Sequence, residues 1–279
     1  MCWLSIGQLP LLNSAQAAPD RPVAQADRPH LKIIVTSNQD TIAADDGMTL
    51  REAIALANGD LRLDRLSDRE RSQVQDLGTN SGSQIEFKLP KGSTKIALTT
   101  ELPAIQTPGV SIDGSTQSGF VAQSTTKTTI VLPTPIVELS PANGVEIARG
   151  ISILADNVTI RGLSIYGFTV GRHDATQNVP AGDIFIAHRL PPPDTTEHQT
   201  PAANFPFRDS NRPPQNITIA GNFLGIKPDK SMPTIASDFG VYVFNSKGTT
   251  IRHNTIKDHS ASGIITSVTA DQLQIRENI

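Results

Sequence analysis

Three observations in the sequence predict an all-β protein: a single-stranded right-handed parallel β-helix, or solenoid, with one capping α-helix near its N-terminus. The first is a phrase of aliphatic strand, polar turn and second aliphatic strand. It is written four times, as NVTIRGLSIYG at 157–167, NITIAGNFLGI at 216–226, GTTIRHNTIKD at 248–258 and DQLQIRENI at 271–279. The second is a glycine-led strand before each copy, at Gly150, Gly182, Gly240 and Gly263, the last two standing 23 residues apart. A period of this length with three short strands per copy marks stacked β-rungs. The third is composition: 20 glycines and 20 prolines suit a turn-rich protein, and an aromatic share of only 4% suits a narrow core of Ile, Val and Leu.

Each element of the repeat has a physical reason. Strand alternation puts Val158 and Ile160 on one face and Thr159 and Arg161 on the other. One rung cannot bury its apolar face alone, so each must pair in register with the next. In the glycine-led strands, Ile151 and Ile153, Ile184 and Ile186, and Val241 and Val243 point inward, leaving Ser152, Phe185 and Tyr242 outward. Asn222, Asn254 and Asn278 share one repeat position, where an amide reaches the next rung and a left-handed turn is tolerated. Leu163 holds that position in the first copy, so the Asn ladder is expected to begin at Asn222. Arg161, Arg252 and Arg276 share another position and read as a solvated row, interrupted by Ala220. The sequons at Asn157 and Asn216 recur with the repeat and read as structure.

The sequence divides into three parts. Residues 1–30 read as a signal-like leader and linker, with Ala15-Gln16-Ala17 fitting a cleavage site for export and a Pro-rich, charged stretch after it. Residues 31–135 supply the N-terminal cap and first rungs, and 136–279 the repeats. Thr49-x-x-Glu52 is a capping box, Leu50, Ala53, Ile54 and Ala57 follow helical spacing, and Asn58-Gly59 is a stop. This short amphipathic helix suits the open end of a solenoid. Residues 61–76 read as a second, solvated helix. The sequence stops at QIRENI, in mid-rung, so that edge is expected to continue into a longer solenoid or to pair with another molecule.

The string DDGMTLREAIALAN at 45–58 resembles the CSLREA motif of bacterial secreted and surface β-helix proteins of the pectate-lyase-like superfamily. LPAIQTPGVSIDGSTQSG at 102–119 and GNFLGIKPDKSMPTIASDFGVYV at 221–243 are similar to that group's later pattern, so the likeness spans most of 33–279. It implies an exported right-handed β-helix and says little of activity. The motif's Cys is Met48 here, which removes a thiol role and suits packing.

Composition narrows the function classes. A net charge of −3 gives no reason to expect nucleic acid or an anionic membrane as partner, and no stretch has the length of a membrane span. One cysteine, Cys2, excludes an intrachain disulfide. Two readings of function stand. One is a non-catalytic extracellular or cell-surface protein that contacts polysaccharide. The other is a carbohydrate-active enzyme: a polysaccharide lyase, a glycoside hydrolase or a uronan epimerase. No stacked carboxylate pair of the kind a hydrolase needs is visible, and catalytic residues stay unassigned. No cofactor is expected; Ca²⁺ enters only on the lyase reading. His173-Asp174 and His253 lack metal-ligand spacing, and Asp258-His259-Ser260 reads as a solvated turn.

The second copy runs 37 residues from Gly182 to Ile219, against 10 to 12 in the others. The surplus lies in 187–214, a loop with seven of the 20 prolines. With long turns at 169–181 and 225–239 it walls the glycine-led strands, and loops on a rigid scaffold are where function concentrates. The predicted ligand-binding floor is therefore Phe185 and Tyr242, on adjacent rungs, beside His188, Arg189 and Arg208, where an extended sugar polymer would stack.

Overall fold

A computed structural model of the protein describes residues 30–78, 82–122, 124–125, 130–131, 133–170, 180–188 and 212–279. Residues 1–29 of the expected leader lie outside the described residues. So do 171–179, with His173-Asp174, and 189–211 of the Pro-rich loop, with Arg189 and Arg208.

Strands dominate the described residues, and most lie in three parallel sheets. The first sheet runs Leu31–Val35, Gln84–Phe87, Ser111–Asp113, Thr159–Arg161, Thr218–Ala220, Thr250–Arg252 and Gln274–Arg276 in spatial order, each parallel to its neighbour. The second stacks Lys95–Leu98, Val137–Pro141, Leu163–Ile165, Phe223–Leu224 and Thr255–Ile256. The third stacks Arg149–Ile153, Gly182–Ile186, Phe239–Lys247 and Ser262–Asp271. From Val137 onward the backbone visits second, third and first sheets in rotation, each time one strand further along.

The register follows the isoleucines. Ile33, Ile85, Ile112, Ile160, Ile219, Ile251 and Ile275 form one column through the first sheet. All but the last are fully buried, whereas Ile275 is 52% exposed. Matching columns are Ile96-Leu139-Ile165-Leu224-Ile256 in the second sheet and Ile151-Ile184-Val241-Ile264 in the third. The three sheets turn these columns toward one another and form one core.

One expectation about the third sheet needs correction. Gly182 pairs with Arg149 and lies one residue ahead of the glycine column. Asp183 takes the place beside Ile184 that Gly150, Gly240 and Gly263 take beside Ile151, Val241 and Ile264. A glycine-led reading aligns residue types; the ladder aligns the aliphatics, because those bury the most area.

The Asn ladder is present and begins where expected. Asn222 Oδ1 accepts from Leu163 N–H at 3.1 Å, and its Nδ2 donates to Ile160 C=O at 3.1 Å. Asn254 Oδ1 accepts from both Asn222 N–H and Asn222 Nδ2, and Asn278 Oδ1 does the same for Asn254. A second amide step lies outside: Asn157 and Asn216, with φ of 58° and 57°, are joined by Asn216 Nδ2 to Asn157 Oδ1 at 3.1 Å. The sequon positions thus have a structural use, as left-handed turn residues, whereas in the ladder the left-handed conformation expected at the asparagines falls one residue earlier, on Gly221, His253 and Glu277, with φ of 67°, 55° and 55°.

At the start, the helix Leu50–Asn58 forms with both halves of its capping box, Thr49 and Glu52, and a left-handed Gly59 at its C-terminus. Met48 beside it is fully buried. Residues 61–76 do not make a second long helix. They form a short turn at Leu63–Arg65, a four-residue helix Asp68–Arg71 and a strand Val74–Asp76, which pairs antiparallel with Leu31–Val35 and covers the sheet edge. No helix among the described residues is long and apolar enough to cross a membrane.

The ladder makes an ordering of stabilities testable. Asn254→Ala leaves the Asn222 N–H buried without a partner, at about 1–3 kcal/mol, and also removes the bond that Asn254 Nδ2 gives to the Ile219 C=O. Asn278→Ala removes the corresponding bonds where the site is half-buried and water can replace them. Urea denaturation is expected to show a clearly larger loss for Asn254→Ala; equal losses would contradict an internal ladder.

Candidate functional site

The predicted floor lies on the outer face of the third sheet. Phe185 and Tyr242 do pair in register, with ring centroids 5.7 Å apart. They do not form an open platform. Phe185 is only 1% exposed, while Tyr242 is half-buried. The Arg149 guanidinium lies 5.6 Å from the Phe185 ring, and Phe244 and Ala187 join the same small cluster. Alternation gives the direction of these rings correctly, but direction does not decide coverage. Arg149 itself is held by Glu101 Oε2 at 2.9 Å and by the Pro180 C=O.

His188 is tied into the scaffold. Its backbone N–H donates to Asn245 Oδ1 at 2.9 Å, and the Asn245 amide donates to His188 Nδ1. That pairing fixes the ring as the Nε2–H tautomer and clamps two strands together. Of the predicted ligand residues, Phe185, Tyr242 and His188 thus converge on the third sheet, with Phe185 and His188 engaged by neighbouring residues, while Arg189 and Arg208 lie outside the described residues.

His259, expected in a solvated turn, is buried instead, its side chain 3% exposed. The imidazole occupies space that two glycines leave: a Cβ at Gly225 or Gly240 would come within 2.9 Å of its Cε1. Its Nε2 meets Asp183 Oδ2 at 3.0 Å, and Asp183 is fully buried. Ser237 Oγ donates to Asp183 Oδ1 and accepts the N–H groups of Gly167 and Phe168. Beside this knot, Asp238 accepts from Thr169 and Ser260. The carboxylate stands between hydroxyl and imidazole, so the base does not touch the hydroxyl and no nucleophile is activated. The knot binds distant segments into one corner. Sequence reasoning misses it because 76 residues separate Asp183 from His259.

That corner anchors the loop 225–239, which crosses the second sheet. Ser164 Oγ donates to Ile226 C=O at 2.7 Å at one end, and Ser237 ties down the other. Between this loop and the turn at 140–145 lies an open cleft of about 420 Å³. Lys95, Ser140, Asn143, Tyr166, Lys227 and Ile235 line it. Tyr166 O–H donates to Glu138 Oε2 at 2.6 Å. Burial and this bond push the phenol's pKa above its ordinary value, so it stays a proton donor. Lys95 Nζ lies 5.9 Å from the Tyr166 ring centre. Among the described residues, neither Lys95 nor Lys227 forms an ion pair. A second groove, about 440 Å³, runs beside the N-terminal helix against Leu31, Leu56, Leu61 and Leu63 and gathers few polar groups.

The second-sheet cleft is therefore the candidate site: concave, anchored at both ends of its wall, and mixed in donors, acceptors and apolar surface. The sequence marks its wall, 225–239, but the pattern assigns that wall to the neighbouring sheet. No known family model matches the protein, and no curated protein matches it either.

Burial raises the pKa of Asp183, against the hydrogen bonds it shares with His259 and Ser237. A raised folded value means that the native state holds this proton more tightly than the unfolded state does. The group's contribution to stability is then greatest below its unfolded pKa of about 3.9 and declines as pH rises through the folded value. Asp183→Asn is expected to remove that decline. Thermal unfolding from mildly acid to neutral pH should show the variant gaining on wild type as pH rises; parallel curves would contradict the assignment.

Proposed function

We propose that this protein is a right-handed parallel β-helix displayed outside the cell, which contacts polysaccharide without cleaving it, through the cleft on its second sheet. The observation that carries the reading is the cleft's chemistry. Two ammonium groups without an ion pair among the described residues, a phenol kept protonated and bonded to a carboxylate, and the apolar edge of Ile235 share one rigidly walled concavity. Hydroxyl-rich ligands need such a mixture: donors and acceptors for hydroxyls, apolar surface for the faces of the sugar ring. Tyr166 and Glu138 are bonded to each other, an arrangement that favours binding over proton abstraction. The rotation of the backbone through three parallel sheets supports the β-helix, and the resemblance at 45–58 supports both it and export. Ala15-Gln16-Ala17 supports export as well.

A glycan array, followed by titration of the best ligand, tests this reading. Lys95→Ala and Lys227→Ala are each expected to weaken binding about tenfold, the loss of one hydrogen bond from a charged group, with unchanged unfolding curves. Tyr242→Ala should leave affinity unaltered. Capture of no glycan, or loss only in Tyr242→Ala, would overturn the assignment of the cleft; release of unsaturated or reducing ends would overturn the non-catalytic reading.

A further inference from the structure

Two Asn-Gly pairs occur in the sequence, Asn58-Gly59 and Asn143-Gly144, and the fold treats them oppositely. Asn58 is buried, its Nδ2 donating to Ala104 C=O at 2.8 Å and its Oδ1 accepting from Gln106 N–H at 3.0 Å. The Gly59 N–H is engaged as well, in the helix C-cap. Asn143 and Gly144 are exposed at the tip of a turn closed by Val145 N–H to Ala142 C=O. Gly144 has φ +77°, and a Cβ built on it would meet nothing within 4 Å. Among the described residues, neither the Asn143 amide nor the Gly144 N–H has a hydrogen-bond partner.

We propose that Asn143 is a self-modifying site, at which spontaneous deamidation writes a negative charge onto the rim of the second-sheet cleft. The Gly144 backbone nitrogen, once it loses its proton, attacks the amide carbonyl carbon of the Asn143 side group. A new carbon–nitrogen bond forms there, the bond from that carbon to Nδ2 breaks, and the amide nitrogen leaves as ammonia after taking a proton from solvent. Water then opens the five-membered imide at either carbonyl, giving aspartate or isoaspartate at 143. The net change is one water consumed and one ammonia released, with no other reactant. Glycine favours the step because it has no side group to crowd the attacking nitrogen and lets the turn adopt the geometry required. At Asn58 both reacting groups are held by hydrogen bonds that would have to break first.

The consequence is electrostatic. Asn143 shares the cleft lining with Lys95 and Lys227. The new carboxyl, with an ordinary pKa of about 3.9, is ionised at neutral pH and sets an anion beside these two ammonium groups. Isoaspartate would also lengthen the turn's backbone by one carbon. The modification is independent of what the cleft binds, so its test does not rest on the polysaccharide reading.

The full-length protein is incubated at neutral and at mildly alkaline pH, digested, and mapped by mass spectrometry with aspartate and isoaspartate forms resolved. Asn143 is expected to convert, faster at the higher pH, at least about tenfold faster than Asn58 in the native protein, a barrier difference of about 1.4 kcal/mol. In denaturant the two sites should convert at similar rates, and Asn143→Gln should abolish the native signal. An Asn143 that stays intact while denatured Asn58 converts, or a native Asn58 that converts as fast as Asn143, would overturn the proposal.

Discussion

Register is the constraint on which this fold depends. The side-group period along a strand is two, so a slip of one residue in any sheet would turn its aliphatic column to solvent and its polar column to the core. The isoleucines from Ile33 to Ile275 hold one line through strands as distant in sequence as those of Ile160 and Ile219, and neighbouring backbones in such a stack sit about 4.8 Å from one another. Hydrophobic burial supplies most of the driving force, but it is non-directional and cannot by itself choose among similar registers. The buried asparagines add direction. Each amide bridges a peptide of one strand layer to its counterpart in the next, and a shifted strand would leave several buried polar groups without partners.

Where the register departs from the obvious alignment, a polar knot takes over. Asp183 stands in a glycine column, and a buried carboxylate there is costly unless it is hydrogen-bonded. Ser237 and His259 meet that need, and Gly225 and Gly240 leave the room for the imidazole. The same knot fixes the far end of the loop that walls the cleft. Core register and candidate site are thus joined through one buried corner, with the loop 225–239 held at its ends by Ser164 and Ser237.

Much of this is legible in the sequence, and the parts that are not share a cause. The isoleucine columns, the start of the Asn ladder and the capped helix at 50–58 follow from local periodicity and spacing, which the sequence states directly. The pairing of Phe185 with Tyr242 is legible for the same reason. The burial of Phe185, with Arg149 beside its ring, is not, because alternation gives the direction of a side group and not what covers it. His259 reads as a solvated turn residue since its partner lies 76 residues away. The cleft formed by Lys95, Tyr166 and Lys227 joins three segments whose proximity depends on how the loop 225–239 folds, and no local pattern encodes that path.

Residue-resolved amide hydrogen exchange under native conditions tests the central claim most directly. The N–H groups of Leu163, Asn222 and Asn254 bond to asparagine side groups of the adjacent strand layer instead of to backbone carbonyls. If register is pinned as described, the amides of Leu163 and Asn222 exchange as slowly as those within the isoleucine columns, at Ile160 and Ile219, and open only with the global transition, while that of Asn254, bonded to the half-buried Asn278, exchanges sooner. Exchange at Leu163 and Asn222 as fast as at the exposed Gly144 turn would show that the ladder does not hold, and the account of how this protein keeps its register would be wrong.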